Sequence, residues 1–305
     1  MNVGVVGGSG FIGSHIVDKL LEAGASVTDF DIMPPHTDRV RHIYVDILDL
    51  SKSIVALAGE YDAVYMLAAM ANVGDVFRNP TEAVEVNISG TANILEAVRR
   101  HDIPRILLAS TVWVYSASKS IECDEDTPLI PSRVDHVYTA TKIGSEMLVA
   151  SYAKLYGIKY TILRYGIPYG PRARSGTVIA EFVRRNLNHQ PIIIQGDGRQ
   201  TRRFVYADDL AAANVAALST KAANRIYNVD GVEEVSVMHI ATQVNSLLGG
   251  TEIKFTEARP GDYQPKAVSN ERIRAELGWT PSTSFDDGLK KYVAWFKASH
   301  TEKPA

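Results

Sequence analysis

Through the first half of the chain, short uninterrupted apolar runs alternate with longer stretches whose apolar residues recur every three or four positions. That alternation is the pattern of a parallel sheet wrapped by helices, because strands covered on both faces are continuously apolar while the covering helices are amphipathic. The apolar runs predict strands at 3–6, 26–31, 43–45, 63–67, 106–109 and 160–163. A first helix spans 10–23, with Ile12, Ile16 and Leu20 on one face and Gly24 where a C-terminal cap needs a left-handed residue. A second helix begins after Asn79-Pro80 and turns Val84, Ile88, Ala92, Leu95 and Val98 toward the sheet. A third, at 136–156, buries Ala140, Ile143, Met147, Leu148 and Leu155 and stops at Gly157. The topology expected is α/β and doubly wound, with right-handed crossovers.

Regularity breaks at 164–171, Arg-Tyr-Gly-Ile-Pro-Tyr-Gly-Pro, which is too rich in Gly and Pro for the interior of an element. A domain border here gives 1–166 as a first domain and 167–305 as a smaller, mostly helical lobe. The lobe is read as helices at 178–187, 208–218, 237–248, 270–277 and 285–298, a strand at 192–194 and a turn at Gly196-Asp197-Gly198. A strand at 225–229 returns to the large sheet, residues 299–305 fray, and the chain has no internal repeat.

Composition narrows the function classes. With 32 Lys plus Arg against 35 Asp plus Glu over 305 residues, the formal charge is −3, so no global attraction to nucleic acid or anionic lipid is encoded. A hydrophobic fraction of 46% and a charged fraction of 22% are ordinary for a globular protein. The single cysteine, Cys123, excludes an internal disulfide, a zinc finger and an iron–sulfur cluster, and fits a reducing cytoplasm. No apolar window is long enough to span a membrane, and the start of the chain reads as a buried strand, not a signal peptide.

Candidate chemistry begins directly after the first strand, at Gly7-Gly8-Ser9-Gly10-Phe11-Ile12-Gly13. Glycines at this spacing permit a tight turn, let the backbone approach a pyrophosphate and let the helix press on the strand, while the helix N-terminus offers unpaired N–H groups. Asp31 ends the next strand 18 residues beyond Gly13, where an acid that bonds the adenosine ribose is expected. A carboxylate there accepts from the ribose hydroxyls and repels an extra phosphate, which favours NAD over NADP. Asp29, on the same side of the strand, is a second candidate, and Asp46 after the third strand is a candidate for the adenine amino group.

Tyr138-Thr139-Ala140-Thr141-Lys142 puts a phenol and an ammonium four residues apart, on one face of the third helix and opposite its apolar stripe. A free tyrosine ionises near 10, so acid–base work near neutrality needs its anion stabilised, and an adjacent cation does that. Ser110-Thr111 follows the 106–109 strand at its carboxyl end, where ligands of open α/β sheets sit, so a Thr111 hydroxyl can bond the same substrate oxygen as Tyr138.

Taken together these motifs resemble the extended short-chain dehydrogenase/reductase superfamily, specifically its NAD-dependent nucleotide-sugar epimerases and dehydratases, most like the UDP-glucose 4-epimerases. The resemblance runs on through Leu67-Ala68-Ala69, Asn87-Ile88-Ser89-Gly90-Thr91, Ser110 to Tyr115, Leu163-Arg164-Tyr165, Tyr169-Gly170-Pro171-Arg172, Gly196-Asp197-Gly198, Arg202 to Tyr206 and Arg259-Pro260-Gly261-Asp262. It implies a Rossmann-type sheet with a C-terminal substrate-binding lobe, and Thr111, Tyr138 and Lys142 as the catalytic set. It implies that NAD is held by Gly7, Gly10, Phe11, Ile12, Gly13, Asp31, Asp46, Ile47, Leu67, Ala68, Ala69, Asn87, Tyr138, Lys142 and Tyr165. The UDP-sugar would be bound by Thr111, Tyr138, Thr177, Val178, Arg202 and Arg259, the two arginines clamping the pyrophosphate. No metal is implied, and a homodimer through helices 82–99 and 138–156 is.

Which chemistry follows from the residues beside Thr111. Relatives that eliminate water carry an Asp-Glu pair there, because removing a C5 proton and expelling the C6 hydroxyl needs a base and an acid; here Val112-Trp113 stands instead. The Glu of decarboxylating relatives is missing too, and Cys123 falls in an acidic segment read as a loop, away from the Cys/His pair of GDP-sugar epimerase/reductases. Oxidation and reduction at C4 remains: 4-epimerisation of UDP-glucose and UDP-galactose through a transient 4-keto sugar. Gly166-Ile167 in place of the usual Phe-Asn, Ser116 in place of Gly, and Arg203 with Arg172 or Arg174 keep open a UDP-uronic acid 4-epimerase or another NAD-dependent dehydratase or oxidoreductase. A catalytically silent dinucleotide-binding protein is the reading outside the enzymes; retention of both Tyr138 and Lys142 speaks against it.

Overall fold

The computed structural model describes residues 1–257 and 266–300, which divide into two compact units. The first comprises residues 1–165, 211–229 and 266–280. Its centre is a seven-stranded sheet in the order Arg225–Val229, Lys159–Tyr165, Arg105–Thr111, Ala63–Met66, Asn2–Val6, Ser26–Asp31, Arg41–Tyr44. Every pairing in it is parallel. From Asn2–Val6 the chain adds strands to one side, then returns to the other with Ala63–Met66, so the winding reverses between those two central strands. A crevice beyond the carboxyl ends of strands at such a reversal is where open α/β sheets bind ligands.

The central strands are largely apolar because both faces are covered. Val6, Phe30, Met66, Ile106 and Leu108 pack in one core with Ile94, Leu95 and Val98 of the helix Gly90–Arg100 and Val149 of the helix Val137–Tyr156. Residues 211–229 and 266–280 also pack in this unit, although the pattern put them, apart from the 225–229 strand, in the smaller lobe. Buried phenols account for much of that attachment. Tyr65 donates to the Asn214 carbonyl (2.8 Å), Tyr165 to the Asn214 side chain (2.6 Å) and Tyr227 to Glu276 (2.7 Å).

Several expectations are corrected here. In the helix Val137–Tyr156, Ala140, Met147 and Leu155 are exposed, the last two by 63% and 70%. Ile143 is buried as expected and Leu148 packs partly on the core, but the face turned inward also carries Thr139, Thr141, Lys142, Ser145, Glu146 and Val149. Thr141, Lys142, Ser145 and Glu146 are buried there with hydrogen bonds described below, whereas the Thr139 hydroxyl is buried with no partner among the described residues. Val84, expected against the sheet, is 44% exposed, because the helix after Pro80 is interrupted by a π turn at Glu85–Ser89 that shifts the register of its faces. Cys123 is not in a loop: it is fully buried in a short strand, Glu122–Cys123, paired with Ala267–Val268. The Gly/Pro-rich stretch holds a strand, Ile167–Tyr169, since Pro168 there needs no ladder donor.

The second unit comprises residues 166–210, the described part of 230–265, and 281–300. It contains a three-stranded sheet in the order Glu234–Ser236, Thr201–Tyr206, Ile167–Tyr169, and a parallel pair of Ile192–Gln195 with Ile253–Thr256. Val178–Leu187, Val237–Leu248 and Phe285–His300 are its long helices. They close over a core of Ile179, Val183, Ile194, Ile240, Leu289 and Phe296, joined to the Tyr169, Phe204 and Phe285 rings, which meet edge-on or tilted. Among the described residues no helix is long and apolar enough to cross a membrane.

Candidate active site

The glycine loop leaves the central strand at Gly7, whose φ of +90° is open to glycine at little cost. A Cβ at Gly7 would press on the Ala68 backbone, and one at Gly13 would collide with the Gly7 carbonyl. Leu67 and Ala68 both donate to the Val6 carbonyl (2.9 and 3.0 Å), which brings the turns after the first and fourth strands together, backbone against backbone. Gly10 starts the helix Phe11–Glu22 without a side-chain cap, so the N–H groups of Phe11, Ile12 and Gly13 remain for an anion. A cradle of this shape, which any Cβ would fill, fits a dinucleotide pyrophosphate.

The two acids of the second strand have different tasks. Asp29 is buried: its Oδ2 accepts from Ser9 Oγ (2.7 Å) and lies 3.1 Å from His42 Nδ1, while Oδ1 has no partner among the described residues. Burial raises its pKa, and it serves to brace the loop. Asp31, partly exposed at the strand end, accepts from the Ser9 and Met33 amides (3.0 and 2.9 Å). Asp46 is exposed and accepts from the Leu48 amide (2.9 Å), with Ile47 buried against Gly90.

Asn87 lies in the π turn with its amide fully engaged. It accepts from the Met70 amide (2.8 Å) and donates to the Met70 carbonyl (3.1 Å) and to Thr141 Oγ1 (2.9 Å). Its own carbonyl, displaced by the π turn, accepts from Thr91 and Ser145 hydroxyls (2.6 and 2.9 Å). Thr141 in turn donates to the Tyr138 carbonyl (2.8 Å). Asn87 thus ties the turn after Ala63–Met66 to the start of the helix that carries Tyr138 and Lys142.

Thr111 is the last residue of its strand, in register with Tyr165, and its Oγ1 accepts from the Trp113 amide (3.2 Å), capping the 3-10 turn Val112–Tyr115. Tyr138 meets the Trp113 ring edge-on, at 6.2 Å between centroids. Lys142 Nζ lies 6.0 Å from the Tyr138 ring centroid and donates to the Ala109 carbonyl (3.0 Å). The lysine is only 6% exposed; burial pulls its pKa down to about 8, opposed by the charge of Glu146. Thr111, Tyr138, Lys142 and the Trp113 ring therefore form one cluster at the carboxyl end of Arg105–Thr111.

Behind that cluster stands a group that the sequence reading missed. Glu146 accepts from Ser110 Oγ (2.5 Å) and is gripped by Arg164 through Nε (3.0 Å) and Nη2 (2.7 Å). Arg164 Nη1 donates to Tyr115 Oη (2.7 Å), which donates to Asn228 (2.9 Å). The signal was present: Tyr138, Lys142 and Glu146 recur at spacings of four and so share a helix face.

In the second unit, Thr177, Val178 and Arg202 line one pocket of about 190 Å³ together with Tyr169, Phe204 and Tyr292. Thr177 caps the helix Val178–Leu187, accepting from the Ala180 amide (3.3 Å). Arg203, the arginine considered for a uronate, reaches the exposed Glu234 across the strand pair through one Nη (3.3 Å). Arg259 lies outside the described residues, as does the Arg259 to Asp262 motif.

Comparison with known proteins agrees with this geometry. The model of the NAD dependent epimerase/dehydratase family matches residues 3–230. The chain is 34% identical over 304 residues to a provisionally named UDP-glucose 4-epimerase of Methanocaldococcus jannaschii, covering 96% of this chain and 97% of that one. The solved structure of Thermotoga maritima UDP-glucose 4-epimerase with UDP-glucose superposes with a TM-score of 0.90 at 30% identity, covering 98% and 99% of the two chains. Bacillus cereus UDP-glucuronic acid 4-epimerase, in complex with UDP-glucuronic acid and NAD, gives 0.87 at 30% identity over 98% and 100%. With the family match covering most of the chain and the glycine cradle built for a dinucleotide, this protein belongs to the NAD dependent epimerase/dehydratase family and uses NAD.

Proposed function

We propose that the protein interconverts UDP-glucose and UDP-galactose by epimerisation at C4. The observation that carries this reading is the cluster of Thr111, Tyr138 and Lys142 with Val112 and Trp113 following, so that the position where dehydratases keep an acid and a base holds two groups unable to move a proton. Bound NAD supplies a hydride acceptor and donor for sugar C4. The glycine loop and the first turn of Phe11–Glu22 hold its pyrophosphate and Asp31 its adenosine ribose. Tyr138 takes the proton of the C4 hydroxyl and later returns it, Thr111 donates to the same oxygen, and the Lys142 ammonium stabilises the phenolate. Arg202 and Arg259 clamp the diphosphate, and Thr177 and Val178 contribute to the UDP-sugar site. The 4-keto sugar must present its other face before reduction, which requires that the diphosphate carry most of the anchoring. We further propose that the enzyme works in the cytoplasm as a homodimer.

The test is incubation of the NAD-loaded protein with UDP-galactose, UDP-galacturonate and UDP-N-acetylgalactosamine, followed by separation of the products. UDP-glucose from the first is expected; a product lacking the elements of water or of carbon dioxide would defeat the proposal. Tyr138→Phe should lower turnover by a factor of about 10²–10⁴ with NAD still bound, and undiminished activity would remove Tyr138 from the reaction.

A further inference from the structure

The inward face of Val137–Tyr156 buries a carboxylate one helical turn beyond Lys142, and the reaction as proposed does not use it. Glu146 is 6% exposed. Both its oxygens are occupied by Arg164, and one also by Ser110. Replacing a buried ion pair with apolar side chains of similar volume is often neutral or stabilising, so stability alone is a weak reason for such a pair. Its surroundings suggest another reason. Lys142 is almost fully buried with the Ala109 carbonyl as its acceptor, an environment that disfavours an ammonium, and Glu146 supplies the charge that works in the opposite direction.

We propose that Glu146 is a positioning residue for the acid–base step: its clamped carboxylate supplies the negative field that keeps the Lys142 ammonium charged beside Tyr138, and it locks Ser110, hence the strand end that presents Thr111. The inference rests on the reading of Tyr138 and Lys142 as the acid–base pair. Arg164 is the clamp, held on its far side by Tyr115. The bidentate grip fixes the carboxylate's direction, and the Ser110 bond fixes the peptide that leads into Thr111.

The charged groups around Lys142 are few. Its own helix contributes Tyr138 and Glu146, Lys159–Tyr165 contributes Arg164, and the 3-10 turn contributes Tyr115. Arg105, on the strand beneath, is at that strand's other end, bonded to Thr161 and to the carbonyls of residues 217–219. From the helix across, Asn87 and Thr91 are the buried polar residues; Glu85 is exposed, and Glu96 is paired with Arg99 and Arg100. Asp75 pairs with Arg78 at the surface, and Glu82 is exposed.

The experiment compares wild type with Glu146→Gln, which keeps shape and an acceptor for Ser110 but removes the charge. Glu146→Asp, which restores the charge, is the rescue. The Lys142 amine is titrated in the NAD-bound proteins by isotope-edited NMR, and the pH profile of kcat/KM is recorded beside it. The Lys142 titration and the alkaline limb of the profile are expected to move down by about one pH unit or more in Glu146→Gln and to return toward wild type in Glu146→Asp. Should Glu146→Gln fail to fold because Arg164 is left unpaired, the double variant Glu146→Gln/Arg164→Met is compared with Arg164→Met, so that the Glu146 charge is the only difference read, and a lower Lys142 titration is expected in the double variant. A Lys142 titration that stays put overturns the inference, even if the variant melts earlier. A wild type that turns over none of the UDP-hexoses would instead refute the proposed reaction, and the NMR titration would still decide the role of Glu146.

Discussion

Asp230 occupies space that a side chain at position 166 would need: a Cβ on Gly166 would collide with its carboxylate. The sequence shows the absence of the expected Phe-Asn at 166–167, and the structure shows what fills the gap. Asp230 is buried, and burial raises its pKa from 3.8 to about 7, against the pull of the Gly231 amide (2.8 Å) and of Arg203. With the folded pKa above the unfolded one, the folded state binds the extra proton, so this contribution to stability is full below about 3.8 and is lost progressively as pH rises from there to about 7. Asp230→Asn should therefore raise the melting temperature by roughly 2–6 °C at pH 8 and by little at pH 4.5. Thermal unfolding at the two pH values checks this, and an equal shift at both would show that the carboxyl does not titrate in this way. At the same scale, spacing favours Asp31 over Asp29, and their partners show the physical difference: Asp29 is a buried brace for the loop and Asp31 a partly exposed acceptor.

Among elements, the glycine loop was the most legible, because its spacing encodes a backbone shape directly. Its sharpest constraint is Gly13, where the first helical turn touches the Gly7 carbonyl. Gly13→Ala is expected to weaken NAD binding at least tenfold by pushing the helix off the strand, a strain of about 1–3 kcal/mol. NAD titration with a far-UV spectrum as the fold control measures it, and unchanged affinity would show that the approach there is slack. The helix Val137–Tyr156 was the least legible: Ile143 and Leu148 of its apolar stripe pack inward as read, yet Lys142, Ser145 and Glu146 are inside too and Met147 and Leu155 outside. Periodicity identifies which residues share a face, and it assigns that face to the core only when apolar burial dominates. Here hydrogen bonds and an ion pair pin the polar face inward. The π turn at Glu85–Ser89 was invisible for a related reason, since the hydroxyls of Thr91 and Ser145 that bond the displaced carbonyl come from elsewhere in the helices.

At the scale of the whole molecule, that helix leaves Ala140, Met147, Ser151 and Leu155 along one exposed side, with Leu155 70% exposed and Val84 of the preceding helix 44%. Apolar surface at these positions fits the proposed homodimer, in which two copies of the helices would cover one another. Sedimentation is expected to give a dimer at micromolar concentration and a monomer for Leu155→Glu; a monomeric wild type would end that proposal.

Local rules sufficed for the alternation of strands and helices, the dinucleotide loop, Asp31 and the pairing of Tyr138 with Lys142, because each depends on spacing within one strand, turn or helix. The winding order, the buried Glu146–Arg164 pair behind the lysine and the carboxylate filling the room beside Gly166 join residues 18 to 64 positions apart. Such contacts exist only once strands have taken their neighbours, and so tertiary packing decided them.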